Sequence, residues 1–112
     1  MKIAIPLAAG RLSMHFGHCD EFALFDVDPE AKAIVGRAML RPPDHEPGSL
    51  PRWLRENAVK VVLAGGMGMR AQQLLARDGI TVVVGAPAGE PEALVQDFLD
   101  QKLEAGENIC DH

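Results

Sequence analysis

The fold of this chain is decided by the stretch Val59-Lys60-Val61-Val62-Leu63-Ala64-Gly65-Gly66-Met67-Gly68. Its first five residues are a dense β-branched run, which is typical of a strand buried on both faces. The glycines that follow predict a tight turn, and a helical pattern begins near Met69. A second β-branched run at residues 80–84 completes a strand–helix–strand unit. Such units give parallel strands joined by right-handed crossovers, so the sequence predicts an α/β fold.

The patterns on either side of this stretch supply the remaining elements. Before it, closely spaced apolar runs and the turn signal at Asp28-Pro29 favour an antiparallel hairpin, and a proline-rich segment then separates the two halves. Ser49 is predicted to cap the next helix and Gly79 to end the one after it. The predicted strands are 2–6, 21–27, 33–40, 59–63 and 80–84, and the predicted helices are 50–57, 68–78 and 90–102. The side chains expected to face inward from the helices are Leu50, Trp53, Leu54, Met69, Leu74, Leu75, Leu94, Val95, Phe98 and Leu99.

Composition limits the classes of protein to consider. The 112 residues carry 16 acids and 11 bases, a net charge of −5, which argues against nucleic-acid binding through clustered Lys and Arg. Two distant Cys do not make a disulfide scaffold, and free thiols suit a reducing cytoplasm. No apolar run approaches the roughly 20 residues of a membrane span. We therefore expect a cytoplasmic domain over residues 1–103, followed by a flexible tail over 104–112.

The first residues resemble a signal peptide only faintly. Met1–Leu7 has one basic residue and a short apolar run, but Pro6 interrupts that run and Arg11 closes it early. We interpret the segment as a strand of the mature protein.

Metal-donor side chains are concentrated in the loop predicted between the first two strands. His15, His18 and Cys19 can each ligate a metal, and imidazole with thiolate suits borderline and soft metals. The spacing is not that of a zinc finger, since Cys-x-x-Cys is missing. The alternative is a glycine turn whose polar residues merely finish a strand. Cys19 either presents a thiolate to a ligand or turns inward as a small apolar residue, and we favour the inward orientation.

Two further places contain metal donors. The chain ends with Cys110-Asp111-His112, so Cys110 and His112 could fold back over a bound metal, or the tail could be a disordered end. His45 lies in the proline-rich loop, where a solvated role is the more common one.

The turn Gly65-Gly66-Met67-Gly68 predicts an anion site. Backbone N–H groups at a helix N-terminus and the helix dipole suit an anion, and ligands of open α/β sheets bind beyond the carboxyl ends of strands. The turn has neither the Gly-Lys-Ser/Thr of a phosphate loop nor the spacing of a dinucleotide fingerprint. Alternatively, the glycines only permit close packing, with at least one of Met67 and Met69 filling the core. We expect a pocket between this turn and the 7–19 loop, with that loop mobile when empty.

These motifs together resemble the dinitrogenase iron-molybdenum cofactor biosynthesis family, which includes NifX- and NafY-type carriers and the C-terminal region of NifB-type proteins. The resemblance rests on His15-Phe16-Gly17 followed by a Cys and a strand. It rests equally on Ala64–Gly68 followed by a helix and Gly79-Ile80-x-Val82. It runs from Met1 to about Leu103. His18 stands where many nitrogenase carriers have Ser.

The resemblance implies a ribonuclease H-like α/β fold with a central five-stranded mixed sheet flanked by helices. It implies noncovalent carriage of an iron–sulfur or iron–molybdenum–sulfur cluster, or of a molybdenum–copper sulfide cluster such as a related small protein of sulfate reducers holds. The cluster would be absent from some preparations. His15 would be the cluster-binding residue. The implied partners are cluster donor and acceptor proteins, and we expect a monomer or a weak dimer that is not an enzyme.

Other functions fit the residues less well. A ribonuclease H-like nuclease needs converging carboxylates, and Ile3–Pro6 in the first strand carries none. A Cys19-dependent hydrolase using His15 or His18 lacks a visible orienting group. The principal alternative is a regulatory or adaptor domain that binds a protein partner through an exposed apolar patch.

Overall fold

The computed structural model describes residues 1–12, 20–42, 49–87 and 89–103. A mixed sheet of five strands, with a sixth short strand beside it, is flanked by three helices. In chain order the elements are β1 (Lys2–Ala8), β2 (Arg11–Leu12), β3 (Glu21–Asp28), β4 (Ala33–Leu40), α1 (Ser49–Glu56), β5 (Val59–Leu63), α2 (Met69–Arg77), β6 (Thr81–Val83) and α3 (Pro91–Leu99).

The strand order is β4-β3-β1-β5-β6, with β2 paired to β1. β1, β5 and β6 are parallel, and β3 runs antiparallel to both β1 and β4. The predicted hairpin of β3 and β4 is therefore confirmed. β5 has a strand on each side, as its dense β-branched sequence predicts for an internal strand.

Each face of the sheet carries its own apolar core. One face packs against α3 and the other against α1 and α2, and the side chains that alternate along each strand supply the two cores in turn. Trp53 of α1 lies against Phe22 of β3 with ring centroids 5.4 Å apart. Burying one large apolar side chain contributes about 1.5–3 kcal/mol, so these two cores hold the layers together. The core beneath α3 includes Ile3, Ile5, Leu7, Phe25, Val61, Leu63, Leu94, Val95 and Leu99; the core beneath α1 and α2 includes Ala4, Phe22, Leu24, Leu50, Leu54, Val62, Met67, Leu75 and Ile80.

The second helix ends at a glycine, as the sequence predicts. Gly79 has φ +78°, and its N–H donates to the Ala76 carbonyl at 3.0 Å. The Ile80 N–H donates to the Leu75 carbonyl, also at 3.0 Å. These two bonds form a Schellman motif, which satisfies carbonyls that the end of the helix would otherwise leave unpaired.

Some predicted boundaries and environments are wrong. β6 covers only Thr81–Val83 and is half-buried, because it is an edge strand of the sheet rather than an internal one. α3 ends at Leu99, since Gln101 has φ +60° and leaves the helical region. Met69 is 58% exposed, not buried, because it begins α2 beyond the margin of the core. α1 already includes Ser49, one residue earlier than its predicted start.

Candidate functional site

Three strands end together at one edge of the sheet. β1, β5 and β6 are parallel neighbours, and the segments that follow β5 and β6 continue their pairing. The Ala64 N–H donates to the Val83 carbonyl at 2.9 Å, the Gly85 N–H to Gly65 at 3.0 Å, and the Ala86 N–H to Ala64 at 3.1 Å. The glycine turn after β5 is therefore held in place by backbone hydrogen bonds at the carboxyl edge of the sheet, which is where ligands of open α/β sheets bind.

Leu7, near the end of β1, anchors the neighbouring loop twice. It pairs with Leu12 of β2 and with Glu21 of β3, and its carbonyl accepts from the Asp20 N–H at 2.7 Å. The Asp20 carboxylate in turn accepts from the Ala9 N–H at 3.2 Å. Since β3 occupies one side of β1, β2 lies on the other side, which is the side of β5 and its glycine turn. The chain thus leaves the described part at Leu12 and re-enters it at Asp20, both beside Leu7.

The sequence did not reveal the short hairpin of β1 and β2. Its turn residues Ala9 and Gly10 have φ +54° and +80°, the left-handed values of a tight hairpin turn. The usual Asn-Gly or Asp-Gly signal is missing, because an alanine stands at the first of these positions.

The start of α2 is open to an anion. Gly68 is its N-cap, with φ −65° and ψ 154°, and a glycine has no side-chain oxygen to accept from the first N–H groups of the helix. The backbone of Gly68 is exposed, whereas Gly65 and Gly66 are buried. Of the candidates in this turn, Gly68 is therefore the one that a surface ligand can reach directly.

Met67 contributes its side chain to the core instead. It is fully buried among the residues beneath α1 and α2, and its carbonyl accepts from the Gln72 side-chain amide at 2.9 Å. The alternative that one of the two methionines is core filler is correct for Met67.

The charges at two helix N-termini on this edge differ in sign. The first turn of α2 carries Arg70 and no acid, although acids are the residues usually favoured there. α3 instead begins beside Glu90 and has Glu92 in its first turn. The first turn of α2 therefore favours an anionic ligand more than the first turn of α3, where Glu92 is already paired with Arg37. Arg70 is a candidate site residue that the motif-based prediction missed, and a helix start with a cation and no acid was the signal for it.

All four His and both Cys of the chain lie outside the described residues. These residues include His45 and the predicted metal ligands His15, His18, Cys19, Cys110 and His112. Residues 13–19 of the loop that was predicted to be mobile also lie outside the described part of the chain. Within the described ranges, no three acidic, His or Cys side chains converge on a metal position.

The start of the C-terminal tail lies at the opposite edge of the sheet. The Gln96 amide of α3 donates to the Lys32 carbonyl at 2.8 Å, and Lys32 belongs to the turn between β3 and β4. That turn lies beside the beginning of β1, because Val27 pairs with Met1. α3 therefore runs away from the edge that holds the glycine turn, and residues 104–112 continue from its far end.

Of the helices in the described part of the chain, none is long and apolar enough to cross a bilayer.

Three known proteins are similar to this chain in sequence or in structure. The uncharacterized protein MJ0580 of Methanocaldococcus jannaschii is 30% identical over 108 residues, covering 93% of this chain and 90% of that protein. The crystal structure of PH0822 has a TM-score of 0.85 and 29% identity, covering 94% of each chain. The apo form of the orange protein from Desulfovibrio gigas has the same fold, with a TM-score of 0.77, 22% identity, and coverage of 96% of this chain and 93% of that one.

The family comparison covers most of the sequence. The model of the dinitrogenase iron-molybdenum cofactor family matches residues 1–101 of the 112. That match includes β1, the Leu7-anchored loop and the glycine turn before α2. The chain therefore belongs to the dinitrogenase iron-molybdenum cofactor family.

Proposed function

We propose that this protein binds an anionic metal–sulfur cluster noncovalently at the carboxyl edge of its sheet and carries it between a donor and an acceptor protein. The observation that carries the proposal is the position of the α2 N-terminus, with Gly68 and Arg70, beside the strand whose residue Leu7 anchors the donor-rich loop. Helix N–H groups and a cation attract sulfide, while imidazole and thiolate bind the metal.

The finer assignments follow the family resemblance. His15 is the principal metal ligand, with His18 and Cys19 as secondary candidates. Of the predicted Gly65–Gly68 turn, the exposed Gly68 end is the part that meets the sulfide. The cargo is an iron–sulfur, iron–molybdenum or molybdenum–copper cluster. A ribonuclease H-like classification, a cytoplasmic location, the absence of catalysis and the 1–103 domain boundary belong to the same proposal.

A carrier protein is better served by a small number of protein ligands to the metal than by a complete set. A structural zinc site fixes its metal with four protein ligands, whereas a transfer protein must release its cluster to the acceptor. One imidazole combined with backbone N–H groups gives binding that is reversible because most of it is electrostatic.

The test is anaerobic titration of the protein with a thiomolybdate–copper cluster and, separately, an iron–sulfur cluster, followed by visible absorption. Wild-type protein should develop sulfide-to-metal charge-transfer bands and retain them through gel filtration. His15→Ala should lose most of this retention with unchanged thermal unfolding, whereas His18→Ala should lose less. Protein that stays colourless with both clusters would contradict the proposal and favour a regulatory or adaptor domain.

Cys19→Ala distinguishes the two orientations of that thiol. Retained cluster binding is expected if Cys19 faces inward. Loss of binding in Cys19→Ala but not in His15→Ala, with both proteins folded, would transfer the role of principal ligand to the thiolate.

A further inference from the structure

β4 is a long edge strand whose last five residues, Gly36–Leu40, have little protection against pairing. It has eight residues, and no strand lies along its outer side in the described part of the chain. Val35 is 69% exposed and Met39 is 49% exposed. Arg37 is the one charged residue in the strand, and it pairs with Glu92 of α3. Soluble proteins usually protect such an edge with lysines, prolines or short strands, so this edge is suited to adding another strand.

The hydrogen bonds of β3 show which backbone groups of β4 point outward. Val27 both donates to and accepts from Met1, at 2.9 and 3.2 Å, so its polar groups face β1. Polar groups alternate sides along a strand, so those of Leu24 face β4. Leu24 pairs with Ala38, whose polar groups therefore point back toward β3. The N–H and C=O groups of Arg37 and Met39 consequently point away from the sheet.

We propose that two copies of this chain associate through β4, antiparallel, about a two-fold axis at Ala38. Arg37 of one copy then exchanges hydrogen bonds with Met39 of the second copy, and Ala38 faces its own counterpart. That central pair is of the non-hydrogen-bonded kind, in which Cα atoms approach to about 4.5 Å, and alanine is small enough for this approach. The result is a continuous sheet through both molecules.

The neighbouring register fits less well. An axis at Arg37 would place two guanidinium groups directly opposite each other, which is unfavourable. It would also pair Met39 with Val35, the residue that the register shift between β3 and β4 leaves without a partner. A bulged residue interrupts pairing, so the axis at Ala38 keeps the ladder within Gly36–Leu40.

The side chains are complementary in the Ala38 register. Leu40 of the second copy lies opposite Gly36, on the face that holds a cavity of about 290 Å³. Its apolar wall consists of Leu24, Gly36, Ala38 and Leu40, and its polar wall includes Lys2, Asp26 and Asn57. A Cβ atom at Gly36 would meet its nearest neighbour, the Asp26 Cβ, at 3.8 Å, which is an ordinary van der Waals distance, so a side chain fits beside Gly36 without a clash. By symmetry, each Leu40 occupies the space above the other copy's Gly36.

On the opposite face of the sheet, the side chains of the second copy also fit beside those of the first. Arg37 and Met39 line a cavity of about 400 Å³ whose floor includes Ala23 and Phe25. Met39 of the second copy stands beside Arg37 at the mouth of this cavity. Because Glu92 already balances the guanidinium charge, an apolar side chain is a compatible neighbour there.

Sedimentation velocity of the full-length, cluster-free protein over a range of concentrations tests the proposal. We expect a reversible dimer, and either Ala38→Lys or Ala38→Glu should raise its dissociation constant at least about tenfold, because like charges then meet at the closest pair. An equimolar mixture of these two variants should dimerise again, since Lys faces Glu only across this axis. Ala31→Lys, an exposed change in the turn before β4, adds the same charge and should dimerise like the wild type.

Circular dichroism should show that all variants are folded, as Ala38 is exposed. Wild-type protein that stays monomeric at every concentration overturns the proposal. So does a dimer that Ala38→Lys leaves intact, or a mixture of the Lys and Glu variants that fails to associate. Since no cluster is added, these outcomes are independent of cluster binding.

Discussion

Met67 and Met69 lie two residues apart in opposite environments. Met67 is fully buried and Met69 is 58% exposed. Met67→Ala should lower the free energy of unfolding by about 2–5 kcal/mol, because it removes core contacts and leaves a cavity. Met69→Ala should change it by less than about 0.5 kcal/mol. Urea unfolding of the two variants measures the difference in stability, and equal destabilisation would show that the Met69 side chain is also packed in the core.

The pH dependence of cluster retention follows from the imidazole of His15. An ordinary imidazole titrates near pH 6.5, and its protonated form has no lone pair for a metal. Retention by wild-type protein should therefore be greatest when the imidazole is neutral and should fall as the pH is lowered, at a pH below that of a free imidazole because the metal competes with the proton. Visible absorption after gel filtration at each pH measures it. His18→Ala should keep this dependence and His15→Ala should lose it; a dependence that survives in His15→Ala would belong to the cluster or to another ligand.

Substitutions at the N-terminus of α2 can separate the effect of helix capping on stability from the effect of charge on cluster binding. Gly68→Asp and Gly68→Asn both supply a side-chain oxygen to the first N–H groups, and open space surrounds this position. Both should raise the free energy of unfolding by a few tenths of a kcal/mol. Only Gly68→Asp places a negative charge where the anionic cluster is proposed to bind, so it alone should weaken the cluster's binding strongly.

Thermal unfolding and anaerobic cluster titration measure these two effects on the same samples. If the Asp and Asn variants bound the cluster equally, the cluster would not lie at this end of the helix.

At the level of helices and strands, the sequence predicts the elements that have a strong hydrophobic periodicity. It does not predict features that depend on which strands lie next to each other in the sheet. Val59–Leu63 and residues 80–84 are similarly rich in valine, yet only the first is internal, because the order of strands in a sheet is not encoded in the composition of one strand. The tight turn at Ala9-Gly10 was missed because alanine rarely adopts a positive φ. The edge location of the glycine turn was predictable, since it follows from two parallel strands ending together.

The exposure of individual site residues was harder to predict. Gly65, Gly66 and Gly68 look alike in the sequence, but only Gly68 is exposed, because the first two lie where the β5 and β6 segments continue to pair. That pairing joins residues twenty positions apart, from Gly65 to Gly85, and no local pattern reports it.

For the molecule as a whole, the tail begins far from the proposed site. Residues 104–110 span at most about 25 Å when fully extended. The tail continues from the far end of α3, whose nine residues rise about 14 Å away from the glycine-turn edge at 1.5 Å per residue. Folding the tail back over this distance would fix the backbone of several residues, each at about 1–2 kcal/mol, which is entropically unfavourable. We therefore expect the double variant Cys110→Ala/His112→Ala to retain the cluster nearly as well as the wild type, and far better than His15→Ala.

Gel filtration of cluster-loaded protein, with metal content measured in the protein peak, tests this prediction. A loss of metal comparable to that of His15→Ala would make the tail a ligand-bearing segment after all.

The double anchorage at Leu7 has an evolutionary consequence. Because Leu12 and Asp20 are both fixed beside one residue, the seven positions between them can vary in length and composition without changing the spacing of the strands. Doubling such a segment costs only about 0.6 kcal/mol in closure entropy. The sheet can thus accept segments of different length between Leu12 and Asp20 while the strands that flank them keep their positions.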